Sequence, residues 1–153
     1  MRFQASTDSA IQILQHLHVH NNTLQTAMDI SSATGVSYPL FIKIANQLRK
    51  HGLLSSVQGR HGGYILGKSA QDISVYDVFL AIEGDMELRS CLHQTASSCT
   101  NGDPHACGLR TFFRGMQDKL IAQLSSTSIT SLIPAHQMPD TAKSAEAGCA
   151  AAS

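Results

Sequence analysis

Cys91, Cys99 and Cys107 recur as C-x7-C-x7-C, three thiols within 17 residues that also hold His93, His105 and Pro104. Thiols gathered this way staple a secreted fold, bind metal or do redox chemistry. Zinc sites usually bring sulfurs in close pairs such as C-x2-C, on one tight knuckle, and no such pair is present. Wider spacing suits a larger object, an iron-sulfur cluster, whose irons accept thiolates from several directions. Three thiolates leave one position for a non-cysteine ligand, and an exchangeable ligand opens a cluster to small molecules. Three reduced thiols in a long loop are the plainer alternative. Cys149 stands apart in an Ala- and Ser-rich end and joins no site.

The compartment bears on that choice. Residues 1–9 carry Arg2 but no apolar stretch of secretory length, and no run approaches the roughly 20 apolar residues of a membrane span. The expectation is a cytoplasmic protein without membrane contact, where disulfides are rare. At 153 residues, 42% hydrophobic and 14% charged, the chain makes one domain or a small domain with an appendage. That composition excludes a disordered, highly charged polymer, and the length excludes a two-lobed enzyme.

Elements before the cysteines show a pattern. Ala10, Ile11, Ile13, Leu14 and Leu17 predict a helix over about 8–20, with Thr7 or Asp8 as its cap. Leu24 to Ala33 predicts a second, shorter helix ended by Gly35. Ser37 can cap a third, with Pro39 tolerated in its first turn and Leu40, Ile44 and Leu48 as its buried stripe. Helix, Gly-bearing turn, helix is the helix-turn-helix arrangement, whose second helix enters the major groove. Its outer face carries Lys43, Asn46, Gln47, Arg49 and Lys50, able to bond phosphates and base edges. A merely solvated amphipathic helix is the alternative.

Two short apolar runs, Leu53 to Val57 and Tyr64 to Leu66, flank Gln58-Gly59-Arg60-His61-Gly62-Gly63 and predict a hairpin. Behind a helix-turn-helix this reads as a wing that places Arg60 and His61 against a minor groove. Ser74 and Asp77 form a capping box for a fourth helix, with Val75, Val78, Phe79 and Ile82 facing inward and Gly84 at its end. Periodicity lapses over 85–108 and returns from Leu109 to Leu124. That long apolar seam suggests packing against a second copy, with packing onto its own first helix as the alternative.

The whole chain has no formal net charge and a pI near 7.1, which argues against a nucleic-acid binder. The zero is a cancellation. Residues 1–70 hold six Lys and Arg against two Asp, a net of +4, and the remainder carries −4.

The residues Ser6-Thr7-Asp8, Gln47 to Leu53, Gly62-Gly63-Tyr64-Ile65-Leu66, Asp77-Val78 and the three cysteines resemble the Rrf-two family of bacterial transcriptional regulators over about residues 1–132. The resemblance implies a homodimeric winged helix-turn-helix protein, often with an iron-sulfur cluster that senses cluster supply, iron, nitric oxide or redox state. Cys91, Cys99 and Cys107 match the family's cluster cysteines. In the nitric-oxide-responsive branch a Phe-Thr-Asp motif supplies an Asp ligand to the partner's cluster; Ser6-Thr7-Asp8 is similar, which makes Asp8 the implied fourth ligand. A second branch uses a His just after the third cysteine; here His105 precedes it, and with His93 forms the alternative. The cysteine spacings are longer than the family's usual ones, and Gln58 stands where the wing generally has Arg.

The resulting expectation is a mainly α winged helix-turn-helix domain over 1–84 with a two-stranded β wing, a cysteine segment and long C-terminal dimerisation helix over 85–132, and a disordered tail over 133–153. Its function would be DNA-binding regulation, as a repressor, with a 2Fe-2S or 4Fe-4S cluster controlling affinity for a double-stranded DNA operator. Ser37, Lys43, Gln47, Arg49, Lys50, Arg60 and His61 form the expected DNA-binding set. A cluster-free regulator sensing through thiols or a small ligand is the alternative. An enzyme or electron carrier is disfavoured, because no nucleotide loop or nucleophile-base pair is evident.

Overall fold

In the computed structural model, which describes residues 4–88, 92 and 107–134, the chain opens with helix α1 (Ala5–Val19). One stripe of α1 buries Thr7, Ala10, Ile13, Leu14 and Leu17. The helix starts three residues before Asp8, with Gln4 at its N-cap. Thr7 is therefore not a cap. Its hydroxyl donates to Glu83 Oε1, and the Gln4 amide donates to the same oxygen at 2.9 Å. A carboxylate from a distant helix thus satisfies one of the orphan donors that open α1.

Helix α2 (Ala27–Thr34) begins later than its apolar pattern suggests, because Gln25 is taken by a β-bridge to Tyr64. Thr26 then caps it in a reciprocal box with Asp29, and Gly35 closes it with φ 72°. Helix α3 (Tyr38–Lys50) follows Ser37, which occupies the N-cap position without a side-chain cap bond. Phe41, Ile44, Ala45 and Leu48 are its buried face.

Strands β1 (Leu54–Val57) and β2 (Gly63–Leu66) pair antiparallel, with Leu54 opposite Leu66 and Val57 opposite Gly63. Three contacts root this hairpin. Tyr64 and Gln25 exchange backbone hydrogen bonds of 2.8 and 3.2 Å, so Gln25 acts as a one-residue third strand. The Leu66 amide donates to Asn22 Oδ1 at 2.6 Å. The Tyr64 ring meets Phe41 edge-on, with centroids 5.1 Å apart. These approaches explain the Gly-Gly-Tyr sequence: a Cβ at Gly63 would collide with the backbone of Gln25, and one at Gly62 with the Val57 carbonyl.

Helix α4 (Val75–Glu83) has both bonds of the expected Ser74–Asp77 capping box and buries Val75, Val78, Phe79 and Ala81, with Ile82 partly covered. Helix α5 (Gly108–Ser126) lies against α4 and has no buried residue. The chain then returns to the first unit. Val75 N donates to Thr127 O at 2.8 Å, Ile129 N to Ile73 O at 3.0 Å, and Gln15 Nε2 to Ile129 O at 2.9 Å. Ile129 is fully buried in the common core. The last residues of the 85–132 unit therefore complete the core of 1–84. Ile133 is also buried, and residues 135–153, most of the expected tail, lie outside the described residues.

Two outcomes follow. Gly63→Ala should break the Gln25 bridge and cost about 1–3 kcal/mol, the usual penalty of overpacking, read as a lowered urea midpoint with unchanged slope. Burial pushes the Asp77 carboxyl up, but hydrogen bonds from Ser74 and the Lys68 charge outweigh it and hold the group below its ordinary value. The stability it contributes is present above the usual carboxylate range and lost as pH falls through the depressed value. Ser74→Ala should remove part of that acid dependence and about 1 kcal/mol of stability, measured by denaturation from neutral pH to pH 3.

Candidate nucleic-acid interface

Because Phe41, Ile44, Ala45 and Leu48 fix the inner face of α3, Lys43, Asn46 and Lys50 emerge along one exposed line, with Arg49 beside it. Positions three and four apart share a helix face. The ion pair among the described residues is Lys68–Asp77, so these α3 cations have no carboxylate partner there. Ser37 is exposed at the entry to the helix, its hydroxyl not spent on capping.

Gln47 departs from the exposed face expected for it. Its Nε2 donates to the Ile82 carbonyl at 3.3 Å in a partly buried contact between α3 and α4. The carbonyl belongs to the last turn of α4, where helix acceptors lack intrahelical partners. Gln47 thus contributes to the contact between α3 and α4, a role that helical spacing alone does not reveal.

At the far end of the hairpin, Gln58, Gly59, Arg60 and His61 are all exposed. Gly59 has φ 122°, a conformation that side chains with a Cβ rarely adopt, and its carbonyl accepts from Gly62 N at 2.9 Å to close the turn. Sequence reading missed what aims this tip. Asn22 and Gln25 hold β2 against the α1–α2 connection, and His16 Nε2 lies 2.7 Å from Gln25 Oε1, donating to it. Their only signal in the sequence is the polar break at Asn21-Asn22-Thr23.

Of the expected cluster ligands, Cys107 is the N-cap residue of α5, partly exposed, and Asp8 is exposed on the opening of α1 with no side-chain bond among the described residues. Cys91, Cys99, His93 and His105 lie outside the described residues. Among the described residues no three His, Cys, Asp or Glu side chains gather to hold a metal. The chain on either side of position 91 is tied to α5: Leu88 N donates to Gln117 Oε1 at 3.1 Å, and Arg114 donates to the Leu92 carbonyl at 3.4 Å.

A helix with an unpaired cationic line, set behind a capped helix and beside a rooted hairpin, has the geometry of a winged helix-turn-helix. A family model described as "Rrf2: Iron-dependent Transcriptional regulator" matches residues 3–135. The chain belongs to the Rrf2 family. The HTH-type transcriptional regulator IscR of Photorhabdus laumondii is 35% identical over 114 residues, which cover 74% of this chain and 67% of that one. IscR of Escherichia coli K12 is 33% identical over 112 residues, 73% and 67% of the two chains. Among solved structures, CymR, the global cysteine regulator of B. subtilis, superposes with a TM-score of 0.64 at 19% identity, over 86% of this chain and 95% of that one. T. potens IscR gives 0.62 at 21%, over 100% and 94%. The structural likeness confirms the winged-helix fold, and the family makes this Rrf2 protein a DNA-binding transcriptional regulator of the IscR type, not an enzyme. No helix among the described residues is long and apolar enough to cross a membrane.

Gln47→Ala should cost about 1 kcal/mol of folding stability, the typical worth of one hydrogen bond, and leave the affinity of the folded protein for DNA unchanged. Weakened binding to a selected fragment by folded protein would return Gln47 to the DNA face.

Proposed function

We propose that this Rrf2 protein acts in the cytoplasm as a homodimeric repressor that places α3 in the major groove and the Arg60–His61 tip in the flanking minor groove of its operator. The observation that carries this reading is the line of Lys43, Asn46 and Lys50, exposed and unpaired among the described residues, beside a wing whose root is fixed. Ser37 and Arg49 complete the contact set.

The dimer reading rests on α5. Leu109, Phe112 and Met116 form one seam on this helix, and Phe112 is 60% exposed. A second copy of the same seam would cover it, as twofold symmetry requires of a self-complementary face. Two recognition helices would then stand about 34 Å apart to meet successive major grooves.

For sensing, Cys91, Cys99 and Cys107 supply three thiolates, and Asp8, exposed and unengaged, supplies a carboxylate; His105 and His93 are the alternative donors. This soft set with one harder oxygen suits an iron-sulfur cluster, which when bound supplies redox and ligand-exchange chemistry toward small molecules. A coupling of about 1–3 kcal/mol between the sensing segment and the DNA face changes occupancy 5- to 150-fold. A second reading, sensing through thiols without a cluster, is favoured by Cys107, which sits partly exposed at a helix N-terminus where small oxidants can reach it.

Purified without oxygen, the protein should be coloured and contain iron and sulfide, and Asp8→Ala should change its absorption spectrum or its cluster lifetime. Colourless, iron-free protein that still binds DNA would select the thiol reading. Phe112→Glu should convert a dimer into a folded monomer in sedimentation analysis. Lys43→Gln and Arg60→Gln should each flatten the plot of binding against salt by about one unit if each contacts one phosphate.

A further inference from the structure

A cleft of about 670 Å³ opens between the C-terminal half of α3 and strand β1, lined by Asn46, Arg49, Lys50, Leu54, Ser55 and Ser56. Leu54, 2% exposed, is its apolar floor. Each of the other lining residues has a side chain that can donate a hydrogen bond, two are cations, and none is acidic. Ser55 and Ser56 reach this cleft from β1, the outer strand of the hairpin, which bonds to β2 on one side. Two cations and three neutral side chains able to donate, with no carboxylate among the lining residues, suit an anion with several oxygens.

We propose that this cleft seats a phosphodiester of the DNA backbone, with Arg49 and Lys50 supplying charge and Asn46, Ser55 and Ser56 supplying neutral donors. The proposal rests on the DNA-binding reading and adds β1 to the surface that touches nucleic acid. Continuity with the α3 line favours a duplex phosphate over a free one: Asn46 and Lys50 belong both to that line and to the cleft wall. A backbone seat at the C-terminal end of α3 would fix the depth and tilt at which the rest of the helix enters the groove, independent of base sequence.

Asn46 is exposed, so Asn46→Asp changes one amide to an isosteric carboxylate with little effect on folding, which a melting curve checks. Binding is measured to a random-sequence duplex of about 30 base pairs and to a fragment selected from genomic DNA, across a salt series. Asn46→Asp should weaken both about tenfold. The Ser55→Ala, Ser56→Ala double variant should weaken both several-fold while leaving the salt slope unchanged, because neutral donors release no counterions. Loss confined to the selected fragment would make the cleft a base reader and overturn the proposal, as would variants that bind like the wild type. Saturable binding of millimolar inorganic phosphate, abolished by Asn46→Asp, would overturn it in favour of a small-anion site. A folded wild type with no affinity for either duplex would remove the DNA reading itself.

Discussion

The two backbone hydrogen bonds between Gln25 and Tyr64 are the constraint on which the rest of the DNA face depends. A two-stranded hairpin alone is marginal in water. Here its inner strand gains a third partner from the α1–α2 connection, and the same Tyr64 places its ring against Phe41, a fully buried anchor of α3. One residue therefore joins the wing, the recognition helix and the first two helices. Gly63 permits the approach, since Gln25 occupies the space a side chain would need. The angle between wing and helix is set by these contacts within the fold.

A second set of contacts converges on the last turn of α4. Gln47 of α3 donates to Ile82, and Gln4 and Thr7 of α1 donate to Glu83. The turn precedes Gly84 and the segment that leads to the cysteines. In the proposed sensor, a displacement of that segment would be felt first where α1 and α3 are both held, a physical route to the reading helix that needs no dedicated hinge.

Much of this architecture was legible in the sequence. Apolar spacing identified the five α-helices of the described residues, and residues with one dominant local role, such as Ser74, Asp77, Gly35 and Gly84, behaved as their chemistry dictates. Side chains whose role depends on a distant partner were not legible: Thr7 is a good cap by type but is claimed by Glu83, and Gln47 looks like a base reader but is claimed by Ile82. The start of α2 shifted for the same reason, once Gln25 was drawn into a sheet by Tyr64. Within the candidate site, the cationic line and wing tip could be read from type and spacing. The cleft beside β1 could not, because it exists only where a strand edge and a helix end meet. The charge asymmetry between the halves proved more informative than the neutral total, since it assigns the positive charge to the α3 and wing side.

The return of residues 127–133 to the core makes α5 a lever with a pivot at one end. Its C-terminal end is pinned by the Val75–Thr127 and Ile73–Ile129 hydrogen bonds and by buried Ile129, whereas Cys107 stands at the other end. Nineteen residues of helix span about 28 Å. A 1 Å shift at the cysteine end therefore corresponds to a rotation of about 2° around the pivot, by the same helix rise. In the proposed dimer joined along this arm, small rotations of each copy would add, and a shift of that size at Cys107 would become a change of pitch between the two proposed DNA-reading heads.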